Sequence, residues 1–120
     1  MQINTTKPYV CVIGGLNIDH QGSSEAPLVF NDSNPGEIEM SAGGVGRNIA
    51  ENLARISIHS KILSYAGEDA LGEFVINKTK AATVDTSLLK KHSTLPTSQY
   101  LSLLDDNNDM LVSISDMRII

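Results

Sequence analysis

Ser41-Ala42-Gly43-Gly44-Val45-Gly46-Arg47-Asn48 leads without a break into Ile49-Ala50-Glu51-Asn52-Leu53-Ala54-Arg55-Ile56. The second half predicts a helix, because Ile49, Leu53 and Ile56 recur at i, i+4 and i+7 with Ala50 and Ala54 beside them, giving one apolar face. Glu51 and Arg55 add an i,i+4 ion pair in the favourable orientation. Ahead of the helix, three glycines in four positions let the backbone approach another group closely. The free N–H groups of the first helical turn, backed by the helix dipole, point at whatever lies there. Two readings fit this spacing equally. The turn holds hydroxyls or anionic oxygens, with Asn48 both donating and accepting, or it is a glycine turn that packs a helix tightly on a sheet.

Upstream, Tyr9-Val10-Cys11-Val12-Ile13 is a short apolar run closed by Gly14-Gly15. It predicts a buried central strand of a parallel sheet, with Cys11 as a small buried hydrophobe. Asn17 and Asp19 follow beyond the carboxyl end of that strand, where open α/β sheets place ligands. Two residues apart, they fall on one side of an extended segment. Either they accept and donate to sugar hydroxyls or they form an Asx-turn at a strand end. Ala26–Phe30 and Glu37–Ser41 are expected as hairpin strands around the turn Asn31-Asp32-Ser33-Asn34-Pro35-Gly36.

Downstream, a strand is expected near Lys61–Ala66 and a helix near Ala70–Ala82, with Leu71, Phe74, Val75 and the stem of Lys78 facing inward. Asp69 suits the N-cap and Glu68 complements the dipole. Lys90-Lys91 is expected at a solvated helix end or loop. Ser98–Leu104 and Met110–Ser115 flank Asp105-Asp106-Asn107-Asn108-Asp109, a hairpin signal. This order implies an α/β core with a separate small β-layer.

The 120 residues suit one domain, and a formal charge of -5 with aromatics at 4% and no Trp excludes a phosphate-backbone or base-stacking surface. No apolar run reaches the ~18 residues of a membrane span, and the start Met1-Gln2-Ile3-Asn4 is too polar for a signal peptide. One cysteine makes no internal disulfide, so a cytoplasmic setting is expected. The glycine turn lacks the Gly-Lys-Ser/Thr of a Walker loop, and Gly14-Gly15 lacks the third glycine of a dinucleotide fingerprint. Asp105, Asn107 and Asp109 have calcium-loop spacing, but Met110 stands where that loop needs glycine. His20, His59 and His92 are too dispersed for a local metal set.

Taken together, Gly14-Gly15-Leu16-Asn17-Ile18-Asp19, then Gly43-Gly44-Val45-Gly46-Arg47-Asn48, then Gly67-Glu68-Asp69 with Gly72 resembles the opening of the PfkB carbohydrate kinases, over about Tyr9 to Ile120. Asn34-Pro35-Gly36 through Arg55, with Thr97-Ser98-Gln99-Tyr100 and Ile114-Ser115-Asp116-Met117, resembles the pseudouridine-kinase branch. The resemblance implies a ribokinase-like Rossmannoid α/β sandwich with a small β-sheet lid, lid strands at about 22–41 and 97–116. It implies that Asp19, supported by Asn17, holds sugar hydroxyls, that Gly43, Gly44 and Asn48 form the ribose-binding turn, and that Ser98 and Asp116 are further substrate contacts.

The reaction implied is transfer of the ATP γ-phosphate to a primary hydroxyl of a sugar or nucleoside, with magnesium. The Gly-Ala-Gly-Asp motif that carries the family's catalytic base does not occur in these residues. Residues 1–120 are therefore expected to be the N-terminal part of a kinase domain, holding neither ATP nor metal by themselves. The implied partners are a small sugar or nucleoside and a second copy of the chain through the lid, with no nucleic acid and no membrane. Ribokinase- or fructokinase-type specificity and a non-catalytic module dimerising through the lid are the alternatives. Ser57 departs from the family, which usually ends this helix with glycine.

Overall fold

The computed structural model describes residues 7–120; Met1-Gln2-Ile3-Asn4 lies outside them. Along the chain run β1 (Val10–Ile13), β2 (Asn17–Ser24), β3 (Gly36–Gly43), α1 (Val45–Arg55), β4 (Ser60–Leu63), β5 (Tyr65–Gly67), α2 (Ala70–Ala81), β6 (Lys90–His92), β7 (Gln99–Leu104) and β8 (Met110–Asp116). β1 pairs in parallel with β4, and β5 in parallel with β6. The third sheet is mixed, in the order β3-β2-β7-β8, with β2 antiparallel to β3 and parallel to β7. No helix among the described residues is long and apolar enough to cross a membrane.

The core is aliphatic and small: Val12, Leu16, Ile18, Ala50, Ile62 and Val75 are among its buried members. Leu16 and Ile18 are fully buried on either side of Asn17. Burying each contributes about 2 kcal/mol, and because side chains alternate along a strand this fixes which way Asn17 and Asp19 point. The four-stranded sheet extends away from the core. The radius of gyration is 17.5 Å, whereas a compact domain of about 100 residues has ~13 Å.

Several expectations change. β1 is half-exposed: among the described residues it has a strand neighbour on one edge only, Val12 alone of its residues is buried, and Cys11 and Ile13 face outward. The partner of β3 is β2, and Ala26–Phe30 is a loop. Pro27 has no N–H for a ladder, and Asn34 clamps the loop by accepting from Val29 N–H (2.8 Å) and donating to Val29 C=O (3.0 Å). Lys90 and Lys91 lie in β6 beside β5, their side chains in solvent. The strand expected at 61–66 is two strands broken at Ser64. In α2, Thr79 is buried, while Lys78 is exposed and lays its ammonium 5.7 Å over the Phe74 ring.

The packing face of α1 is rotated from the expected one. Gly46, Arg47 and Ala50 are buried, whereas Ile49 and Ile56 are 47% and 67% exposed. Gly46 sets this rotation, because a Cβ there would lie 2.7 Å from the Gly14 carbonyl carbon. The helix ends in a Schellman motif, with Ile58 N–H donating to Leu53 C=O and Ser57 held at φ 64°.

Candidate functional site

Asn17 opens β2 opposite Gly43, the last residue of β3. The Asn17 amide is buried and donates from Nδ2 to Asp19 Oδ1 at 2.7 Å. A side chain at Gly43 would place its Cβ 2.0 Å from Asp19 Oδ2, so glycine is what allows the carboxylate to lie there. Asp19 Oδ2 receives no hydrogen bond among the described residues. In register beside Asp19 stand Ser41 and Tyr100, and with Gln21, Glu39 and Ser102 these residues line a polar concavity. One carboxylate oxygen is thus oriented by protein while the other is left to accept from a ligand.

The glycine turn packs the helix tightly on residues 14–16, one of the two readings that its spacing allows. Gly44 sits at φ +101°, and a Cβ there would meet Gly15 O at 2.5 Å. Gly44 and Gly46 are therefore required for packing against residues 14–16, while Gly43 is required by Asp19. Arg47 N–H donates to Gly15 O (3.0 Å), and α1 has no side-chain cap. The N–H groups of Val45 and Gly46 find no acceptor among the described residues. An uncapped first turn next to a half-free carboxylate offers donors and an acceptor together.

Asn48 is exposed in that first turn, its Oδ1 accepting from Arg47 Nη1 at 3.3 Å. Arg47 is 6% exposed and was not singled out by the sequence. Its Nε donates to Thr79 Oγ1 on α2 (3.1 Å) and its Nη1 to Glu51 Oε2 (2.6 Å). Glu51 also takes Arg55 at 2.7 Å. The hydrogen bond from Arg55 holds the Glu51 carboxyl below its ordinary value, with Arg47 adding to it against the effect of burial. The signal available in the sequence was the file Gly46, Ala50, Ala54, whose small side chains leave room for a long neighbour on the packed face.

Ser98 immediately precedes β7, and its C=O accepts from Ile18 N–H at 2.9 Å. Continuing the β2–β7 register puts Ser98 beside Asn17, on the Asp19 face. Its Oγ is buried and finds no partner among the described residues. Asp116 lies elsewhere: it pairs with Gln99 on the opposite face, and Arg118 holds its carboxylate from Nε (2.8 Å) and Nη2 (2.7 Å). The structure thus gathers Asn17, Asp19, Gly43, Gly44 and Ser98 at one corner, with Asn48 one helical turn away, and sets Asp116 apart.

Asp69 is occupied by structure. Its carboxylate accepts from Gly72 N–H (2.7 Å), Thr97 N–H (2.9 Å) and Thr97 Oγ1 (2.6 Å), and Gly67 N–H donates to that same hydroxyl (2.9 Å). Burial pushes its carboxyl up, but the bonds from Thr97 and Gly72 outweigh this and leave it below the ordinary value. Among the described residues no three His, Cys, Asp or Glu side chains cluster as a metal-ligand set.

The sequence pattern of the pfkB family carbohydrate kinases matches residues 7–118. The chain is 45% identical over 115 residues to a pseudouridine kinase of Escherichia coli, covering 94% of this chain and 36% of that protein. Among solved structures, a putative sugar kinase from Clostridium perfringens superimposes with a TM-score of 0.86 at 34% identity, over 95% of this chain and 36% of the other. Arabidopsis thaliana ribokinase, solved with ribose and ATP, shares the fold at a TM-score of 0.82 and 20% identity, over 92% of this chain and 36% of its own. The chain spans about a third of the length of the curated relatives it matches.

Proposed function

Because the chain belongs to the pfkB family of carbohydrate kinases and has the ribokinase-like α/β fold, we propose that it supplies the sugar-binding part of an ATP-dependent sugar or nucleoside kinase whose substrate is pseudouridine. The observation that carries this reading is Asp19, which has one oxygen fixed by Asn17 and the other free beside an uncapped helix start. A carboxylate so placed accepts from sugar hydroxyls in charge-assisted bonds. Gly43 and Gly44 shape the turn, Asn48 and Ser98 add polar contacts, and Asp116 contributes from the far side of the sheet only if that sheet moves.

Holding the secondary hydroxyls fixes where the primary hydroxyl lies, and positioning of this kind is the main protein contribution to phosphoryl transfer. ATP and magnesium supply the phosphoryl group and its charge neutralisation, and both are assigned to the two thirds of the relatives that this chain does not span. Pseudouridine is favoured over ribose or fructose by the 45% identity to a pseudouridine kinase.

The four-stranded sheet is assigned as the lid. Its polar face carries Asp19, Ser41 and Ser102 toward the substrate. Its other face carries Ile38, Met40, Leu101, Leu103, Val112 and Ile114, all between 40% and 83% exposed. An apolar face of that extent favours a homodimer through the lid. A reducing, cytoplasmic setting accords with the single cysteine.

Calorimetric titration of residues 1–120 with pseudouridine, uridine, ribose and fructose tests the reading. Pseudouridine is expected to bind tightest, and no phosphorylation is expected on adding ATP. Equal or absent binding of all four overturns the assignment, and turnover by this chain alone overturns the division of labour. Light scattering across a concentration series tests the dimer.

A further inference from the structure

We infer that Arg47 is a positioning residue that decides which end of the Asn48 amide faces the sugar; this rests on the sugar-binding reading above. Its guanidinium is buried at the head of α1 and has donors only. Nε is taken by Thr79 Oγ1, whose own hydrogen goes to Val75 C=O (2.6 Å), so the hydroxyl offers Arg47 a lone pair. Nη1 is shared between Glu51 Oε2 and Asn48 Oδ1.

A guanidinium cannot accept a hydrogen bond, so the Asn48 atom turned toward it is the carbonyl oxygen. The NH2 group is left facing out. The turn therefore presents Asn48 as a donor, complementing the acceptor at Asp19 Oδ2. Adjacent sugar hydroxyls engage both, one donating to Asp19 and the next accepting from Asn48. The reversed amide would offer a second acceptor and leave the hydroxyl lone pairs unmatched. Lysine cannot replace Arg47, because one nitrogen cannot span Thr79, Glu51 and Asn48.

Two measurements test this, and only the second needs sugar. Thr79→Val keeps the side-chain shape and removes the acceptor that holds Nε. It is expected to shift the Asn48 side-chain NH2 resonances of residues 1–120, and unchanged resonances overturn the inference. In pseudouridine titrations, Arg47→Lys and Asn48→Ala are each expected to weaken binding by about 10-fold, and the double variant also by about 10-fold, because one acts through the other. A double loss near the additive ~100-fold means that Arg47 acts independently of Asn48, and overturns the inference. Wild-type chain that binds no pseudouridine counts against the sugar-binding reading instead, and the Asn48 resonances then decide the role of Arg47 alone.

Discussion

Asp19 and Asp69 occupy matched settings. Each lies against a glycine whose Cβ would strike its carboxylate, Gly43 for Asp19 and Gly67 for Asp69, and each stands close to the start of a helix. They differ in how many donors reach them. Asp69 receives three and caps α2, while Asp19 receives one and leaves α1 uncapped. A carboxylate with both oxygens engaged has little left to offer a ligand, so its energy goes into the fold. A carboxylate with an open oxygen contributes little to the fold and keeps its binding capacity.

The largest effect expected from this contrast is on stability at Asp69. Asp69→Ala removes the cap and strands the buried Thr97 N–H and hydroxyl. Together these losses are expected to cost about 3 kcal/mol, read as a fall in the denaturant midpoint. Asp19→Asn is the converse. Unfolding should move by less than about 1 kcal/mol, whereas pseudouridine affinity should fall about 30-fold, the loss of a charge-assisted bond worth ~2 kcal/mol. If Asp19→Asn unfolds the protein as readily as Asp69→Ala does, the two corners are not different in kind.

Acid makes the contrast graded. The Asp69 carboxyl is depressed in the folded chain, so its stabilisation is fully present above its unfolded value of ~3.9. It is lost as pH falls through the folded value. Wild-type stability should therefore drop on going from pH 6 to pH 3, and Asp69→Asn should drop less. Part of the slope will remain in the variant. Asp85, brought down to about 2 by the Ser87 hydroxyl and N–H, with Lys61 adding against burial, has the same sign, as does Glu51. An identical slope in wild type and variant would mean that Asp69 gains nothing from its three donors.

What was legible in the sequence follows the same physics. Asp69, α2 and the β7–β8 hairpin were readable because caps, periodicity and turn formers act over a few residues. The family and its glycine turn were readable from motif order. β2 was not, because a strand reading Asn-Ile-Asp-His-Gln-Gly-Ser-Ser lacks the usual apolar alternation: polar residues lie on both faces, Asp19 and Gln21 toward the concavity and His20 away from it, and the strand is held by neighbours distant in sequence. The rotation of α1 was hidden for a related reason. Ile49 and Ile56 look like a core face, yet contact with Gly14 turns Gly46 and Arg47 inward. Arg47 itself finds its partner Thr79 only through tertiary packing.

The smallest expected effect is the most useful control. Ser57 holds φ 64° at the end of α1, where a residue with a Cβ is strained and glycine is not. Ser57→Gly should raise stability by about 0.5–1 kcal/mol without touching either aspartate. Added to Asp69→Ala, it should recover that increment of stability, along with any binding lost because part of the chain was unfolded. Added to Asp19→Asn, it should recover no binding at all, since that loss lies in the folded state. If Ser57→Gly restores pseudouridine affinity to the Asp19 variant, then Asp19 acts through the fold and the open oxygen is not a ligand site.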